Sequence, residues 1–285
     1  MALTTVTRTQ AANRALKDGT VAPRGVELEL VEVDPLIKAF RQMVRENAYD
    51  VCELAFTTYL VAKEHGARFT ALPAFLVRDF HHGAIVAREP GDPKALEGKR
   101  VGVNRGYTVT TGVWARGVLA DEHGVDLDSI TWVLSGDEHV ASYEPPPNVV
   151  SAEGRDLGEL LRDGELDAAI GIAGFPPLLA DAHEAGFRAL AERGHYPINH
   201  LVVMRDELLD DAPYVYEAFV RAKDAYVGSG ELDPTHARVA EIIGGDPLPY
   251  GVEPNRRTIE ELIAHALRQR ILRQRPDLDD LFVRV

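Results

Sequence analysis

The sequence contains little cysteine, fewer basic than acidic residues, and no long apolar run. Cys52 is the single cysteine among 285 residues, which excludes an intramolecular disulfide and a cysteine-rich zinc site. The formal charge of −14 repels polyanions and gives no electrostatic footprint for nucleic acid. No window approaches the roughly 18 consecutive apolar residues of a membrane span. The sequence therefore predicts a protein that binds neither nucleic acid nor membranes.

A secretory signal has a basic start, an apolar stretch and a small-residue cleavage site. The amino-terminal residues of this sequence show none of these features in that order. We therefore expect a soluble protein that stays in the cytoplasm.

The hydrophobic pattern predicts an α/β protein. Apolar residues make up 45% of the chain and charged residues 27%, as in globular proteins, and the length predicts about two domains. Short apolar segments take turns with stretches of helical spacing. Strands are predicted at residues 3–6, 26–33, 51–54, 69–77, 84–87, 100–103, 130–133, 168–172 and 200–204. Helices are predicted at residues 35–46, 108–123, 158–163, 177–185, 206–211, 213–228 and 257–272, so that the carboxyl-terminal tail is helical.

Two sequence motifs in the middle of the chain indicate the fold. LEGKRVGV at residues 96–103 predicts a turn and a buried strand. LLRDGELDAAI at residues 160–170 predicts the end of a helix, a glycine that terminates it, and another strand. In this order they resemble the second lobe of the type 2 periplasmic-binding fold. The resemblance implies two α/β lobes with two crossovers, residues 1–82 and 203–285 forming lobe I and 83–202 lobe II, with a ligand cleft between them.

Five separated segments carry a narrower resemblance. They are YDVCEL at 49–54, RDFHH at 78–82, YTVTTGVWARG at 107–117, PINH at 197–200 and PYGVEPNR at 249–256. Together they are similar to the 4,5-dihydroxyphthalate decarboxylase family. This resemblance implies a cytoplasmic carboxy-lyase that uses no cofactor and acts on a small hydroxylated aromatic carboxylate. A homo-oligomeric state is left open.

The same features suit other functions, because a fold does not decide a function. One alternative is a binding protein that captures a small carboxylate for a transporter or a sensor. Another is a different cytoplasmic enzyme of this fold, of the menaquinone-pathway or thiamine-pyrimidine type. The absence of a signal peptide and the titratable residues Glu53 and His82 favour the decarboxylase.

Three residues are candidate catalytic groups. Glu53 lies at the end of an apolar strand, and strand carboxyl ends are where α/β folds place ligands. His82, at the first predicted crossover, matches the family motif, and a histidine can move a proton near neutral pH. His200 precedes an apolar strand near the second crossover and could polarise a ring hydroxyl. Ordinary structural roles are the alternative for each residue.

The candidate substrate-binding residues offer charge, hydroxyl groups or a helix start. Arg78 presents a planar fork that matches a carboxylate. Backbone N–H groups at the helix start near Tyr107 suit an anion, although simple N-capping explains threonines there too. The full set is Arg78, Tyr107, Thr110, Thr111, Arg116, Thr57, Thr58 and Tyr250.

No metal site is predicted. The sequence contains no H-E-x-x-H or similar ligand spacing, and a site from Glu53, His82 and His200 would be scattered over three segments. A bound divalent metal is nevertheless left open.

Overall fold

The computed structural model describes residues 2–285. Its strands are β1 (Leu3–Val6), β2 (Leu28–Val31), β3 (Val51–Ala55), β4 (Phe69–Arg78), β5 (Ile85–Ala87), β6 (Arg100–Val103), β7 (Thr131–Leu134), β8 (Val149–Ser151), β9 (Ala168–Ile170) and β10 (Ile198–Arg205). Its α-helices are α1 (Arg14–Lys17), α2 (Ile37–Glu46), α3 (Phe56–Glu64), α4 (Thr110–His123), α5 (Leu157–Arg162), α6 (Ala182–Arg193), α7 (Ala212–Val227), α8 (Pro234–Ile243), α9 (Arg256–Arg268) and α10 (Leu278–Leu281). The predicted α/β class is confirmed.

The chain forms two compact units. Unit 1 contains the chain up to Arg78, Ile198–Ile259 and Pro276–Val285. Unit 2 contains Asp79–Pro197 and Glu260–Arg275. The predicted lobe boundaries lay at residues 82 and 203, and the prediction kept the whole tail in lobe I. In the structure residues 260–268 of α9, and the chain that follows as far as Arg275, belong to unit 2.

Unit 1 is built on a five-stranded sheet in the order β2-β1-β3-β10-β4. Strand β3 is parallel to β1, whereas β10 lies antiparallel between β3 and β4. Every residue of β3 is buried, as expected for a central strand covered on both faces. The ends of β1, β3 and β4 and the start of β10 therefore meet at one edge of the sheet.

Unit 2 has a second five-stranded sheet in the order β5-β9-β6-β7-β8. Strands β6, β7, β8 and β9 are parallel, and β5 is antiparallel to β9. The loop between β6 and α4 follows the carboxyl end of a central strand, which is where α/β sheets place ligands.

Several predicted elements need correction. Helix α3 was not predicted because it is buried over most of its surface and shows no amphipathic period. A helix predicted at 177–185 begins only at Ala182, because Pro177 forms a bridge with Val86. Residues 206–211 form a 3-10 helix, and strand β8 was missed. Within residues 2–285 no helix combines the length and apolar character needed to cross a membrane.

Candidate active site

The sheet edge of unit 1 brings Glu53 and His200 into direct contact. In the β3–β10 ladder Glu53 pairs with Val202 and His200 pairs with Ala55, so the two residues are diagonal neighbours on one face of the sheet. The Nδ1 atom of His200 lies 2.6 Å from Oε1 of Glu53, although 147 residues separate them in the chain. Two of the three predicted catalytic residues therefore form one hydrogen-bonded pair.

The Glu53 side chain is completely buried and surrounded by hydrogen-bond donors. The backbone N–H of Arg8 donates to Oε2 over 2.9 Å. The side-chain amide of Gln10 donates to both oxygens over 3.2 Å. Because a carboxylate only accepts hydrogen bonds, this arrangement assigns the proton of the short contact to Nδ1 of His200.

His200 keeps its second ring nitrogen available. The imidazole packs edge-on against the Phe40 ring, with the ring centroids 5.2 Å apart. The His200 side chain is 20% exposed to solvent. Within residues 2–285 its Nε2 atom makes no hydrogen bond. An imidazole held at Nδ1 by a carboxylate and open at Nε2 has the arrangement of a general acid or base.

Arg78 lies on the strand that pairs with the start of β10, and Tyr250 is close enough to Glu53 and Arg78 for their charges to act on it. Arg78 ends β4, where it pairs with Ile198, and its guanidinium donates a short hydrogen bond to Oδ1 of Asn255. The amide of the buried Asn255 donates to the carbonyl groups of Pro249 and Gly251 over 2.9 and 2.7 Å. Asn255 therefore connects the predicted carboxylate clamp to the loop that carries Tyr250.

Tyr250 has a buried hydroxyl group that no other group satisfies within residues 2–285. Burial raises the pKa of this phenol well above its ordinary value, and the nearby charges include Glu53 and Arg78. The hydroxyl is therefore a protonated donor. A buried polar group without a partner costs about 1–3 kcal/mol, and a ligand that accepted a hydrogen bond from this hydroxyl would remove that cost.

Thr57 and Thr58 lie in the first turn of α3, directly after β3, and both are buried. Their position follows from the abrupt change from strand to helix at Ala55.

In unit 2 the predicted anion-binding loop holds a carboxylate of the protein itself. The backbone N–H groups of Tyr107 and Thr108 both donate to Glu138, the second over 3.2 Å, and the Thr108 hydroxyl donates over 2.6 Å. A Cβ atom at Gly106 would lie 2.5 Å from a Glu138 oxygen, so a glycine is needed for this close approach. The loop thus has the donor geometry for one carboxylate.

The other predicted residues of this loop are mostly buried. Thr110 begins α4 with its side chain buried, whereas Thr111 beside it is partly exposed. Arg116 is fully buried, and its guanidinium donates to the Tyr107 carbonyl and to Gln269, both over 2.6 Å. The guanidinium also stacks 3.9 Å from the centroid of the Tyr107 ring, so Arg116 braces the loop from inside.

His82 is completely buried in unit 2. Its Nε2 atom lies 3.0 Å from a Glu122 oxygen, and Arg193 donates to the same carboxylate over 2.5 Å. Its Nδ1 atom is buried and has no hydrogen-bond partner within residues 2–285. The contacts of His82 are those of a buried histidine paired with a carboxylate.

Residues 2–285 contain no group of three or more histidine, cysteine, aspartate or glutamate side chains arranged to hold a metal ion. The structure also adds residues that the sequence analysis did not single out. Thr108 and Asn255 lie within two of the five segments that carry the family resemblance, whereas Gln10, Asn13, Phe40 and Glu138 lie outside all five.

Solved structures share the fold of this chain. A structural-genomics protein from Archaeoglobus fulgidus superposes with a TM-score of 0.56 at 17% identity and covers 95% of this chain and 98% of its own. The periplasmic aliphatic sulphonate binding protein SsuA from Escherichia coli gives a TM-score of 0.54 at 13% identity, covering 99% and 92%. At these identities the likeness concerns the fold alone, and it confirms the periplasmic-binding fold.

Sequence relatives are more informative. No family model matches the chain. A 4,5-dihydroxyphthalate decarboxylase from Comamonas testosteroni is 31% identical over 288 residues, covering 88% of this chain and 87% of the relative. A second protein of that name from Pseudomonas putida is 36% identical over 170 residues, covering 55% of this chain and 65% of the relative. The chain therefore belongs to the 4,5-dihydroxyphthalate decarboxylase family and is a carboxy-lyase.

Proposed function

We propose that the protein decarboxylates a hydroxylated aromatic dicarboxylate, 4,5-dihydroxyphthalate or a close relative, and that it uses no cofactor. The observation that carries this proposal is the Glu53–His200 pair, with its 2.6 Å contact and its available Nε2 atom, beside Arg78 and Tyr250. The name of the two sequence relatives supports the substrate class.

The reaction replaces a ring carboxylate by a proton. A ring hydroxyl para to the departing group pushes electron density to the carbon that bears the carboxylate. The imidazolium of His200 transfers its Nε2 proton to this carbon, which interrupts the aromatic system. The bond to the carboxylate then breaks, its electron pair returns to the ring, and carbon dioxide leaves. His200 regains its proton from solvent.

The chain's own residues suit each part of this reaction. Glu53 stabilises the positive charge of the His200 imidazolium before proton transfer and fixes the orientation of its ring. The Arg78 guanidinium binds the carboxylate that the product retains, because its planar fork matches two oxygens. The Tyr250 hydroxyl donates to a ring hydroxyl or its oxyanion and thereby gains the partner that it otherwise lacks. In this proposal the proton donor is His200, since His82 is buried against Glu122.

The loop of unit 2 has donors that suit a carboxylate. The N–H groups of Tyr107 and Thr108 and the Thr108 hydroxyl bind the Glu138 carboxylate. This loop is therefore proposed as a carboxylate-binding element, in which a bound carboxylate would replace Glu138.

The test compares carbon dioxide release from 4,5-dihydroxyphthalate by the wild-type protein and by His200→Asn. The asparagine amide retains an N–H near the position of Nδ1 but has no group that can transfer a proton. We expect general acid catalysis to contribute about 10²–10⁴-fold, and kcat to fall by this factor. The exposed His183→Asn in unit 2 is the matched control and should retain full activity.

Two outcomes would contradict the proposal. If His200→Asn retains wild-type kcat, His200 is not the proton donor. If the wild-type protein binds hydroxylated aromatic diacids, as followed by thermal shift, but releases no carbon dioxide from any of them, the proposed substrate class is wrong. Dialysis against a chelator should leave the rate unchanged, and a loss restored by a divalent metal would disprove cofactor independence.

A further inference from the structure

The segment after β1, residues 7–10, lies against Glu53 and is held in one conformation by its own network. The buried Asn13 is the centre of this network. Its Oδ1 accepts from the Gln10 backbone N–H over 2.8 Å, and its Nδ2 donates to the Arg8 carbonyl over 2.9 Å. The Lys17 ammonium donates to the Thr7 carbonyl over 2.6 Å. Local side chains therefore fix the backbone that carries Gln10.

This segment determines how the Glu53 carboxylate is oriented. The Arg8 N–H binds only Oε2, whereas the Gln10 amide binds both oxygens at 3.2 Å. Together these donors hold the plane of the carboxylate, and Oε1 then faces Nδ1 of His200. Without them the carboxylate could rotate, because the terminal torsion of glutamate has only broad minima.

We propose that Gln10 is a positioning residue for the decarboxylation. It holds the Glu53 carboxylate so that Oε1 binds the imidazolium of His200 in the orientation needed for proton transfer from Nε2. Within residues 2–285 Gln10 makes no hydrogen bond with His200, and in this proposal it acts through Glu53. This inference rests on the proposed function, because it assumes that His200 transfers the proton.

The test is Gln10→Met, which conserves the length of the side chain and removes the amide donor. We expect kcat to fall about tenfold, the factor for one modest hydrogen bond, with KM changed less than about twofold. Because the imidazolium loses part of its stabilisation, the basic limb of the pH–kcat profile should move to lower pH. Gln10→Asn, whose amide is one methylene shorter, should give an intermediate kcat.

The control is Gln42→Met in α2, because Gln42 is exposed and, within residues 2–285, accepts a hydrogen bond from the Tyr49 hydroxyl alone. Unchanged kcat and an unmoved pH profile in Gln10→Met would overturn the inference. A change in KM alone would also overturn it, since that result indicates substrate binding. If Gln10→Met does not fold, as judged by its thermal transition, Gln10→Asn gives the same comparison.

The two proposals fail in different ways. If His200→Asn is inactive and Gln10→Met is normal, only the positioning role is wrong. If His200→Asn is fully active, the proposed proton donor is wrong, whatever Gln10→Met shows.

Discussion

Replacing Glu53 by glutamine removes a charge from the candidate site and conserves its shape. Oε2 of the carboxylate faces the backbone N–H of Arg8, which cannot turn away. A glutamine must therefore point its oxygen at Arg8 and its NH₂ group at His200. That NH₂ group faces Nδ1 and forces the imidazole to carry its proton on Nε2 while it accepts at Nδ1. The variant thus loses the carboxylate that stabilises the imidazolium.

The size of the effect follows from the contacts. The short Glu53–His200 contact is charge-assisted, and such bonds contribute about 1.5–3 kcal/mol. Glu53 is fully buried, so the mismatch is not relieved by water. We expect a loss of about 3 kcal/mol in the free energy of unfolding, a fall in Tm of about 5–10 °C, and a fall in kcat of about 10²–10⁴-fold.

Both quantities are measured on the same preparation, by thermal unfolding and by carbon dioxide release at a temperature well below the lower Tm. The control is Glu207→Gln, an exposed carboxylate of unit 1 that binds Arg205. A variant that loses stability but keeps kcat within threefold of wild type would refute the catalytic reasoning and leave Glu53 with a structural role. Unchanged stability would refute the account of its four hydrogen bonds.

Three further results are expected. Burial opposes ionisation of Glu122, but hydrogen bonds from His82 and Arg193 outweigh it and lower the pKa to about 2. This ionised carboxylate stabilises the fold above about pH 4.5, and at most about 3 kcal/mol is lost as the pH falls towards 2. Urea unfolding from pH 6 down to pH 3 should show about 2 kcal/mol of this loss in the wild type, because the folded-state pKa lies below pH 3, and a smaller loss in Glu122→Gln; equal losses would contradict it. Glu138→Gln should lower Tm by about 2–4 °C, because an amide replaces the carboxylate that accepts three hydrogen bonds from Tyr107 and Thr108; an unchanged Tm would contradict this account of the loop. Burial lowers the pKa of His265, so this histidine is neutral in the folded protein at neutral pH. When the pH falls below the pKa of a histidine in the unfolded chain, the unfolded state binds the proton more readily and the fold loses stability. Below that pH, His265→Gln should therefore lose less stability than the wild type.

The local elements were largely predictable because they depend on neighbours in the chain. Strands β1 and β6 have the predicted bounds, and α4 ends where predicted at His123, since glycine follows. Helix α3 was not predictable in this way. Its polar threonines are buried and its apolar residues surround the helix, so that burial by the rest of unit 1, and not periodicity, defines it.

The sequence by itself determined the α/β class, the family and the identity of most polar groups at the sheet edge, because motifs and alternation are local properties. Only the tertiary structure decided which of these groups meet. The antiparallel insertion of β10 beside β3 joins His200 to Glu53, and the segment after β1 adds Gln10. In unit 2 His82 is buried against Glu122, and the donors of the predicted anion-binding loop bind the Glu138 carboxylate. These pairings depend on strand order and register, which bring together residues that are far apart in the chain and which no single segment encodes.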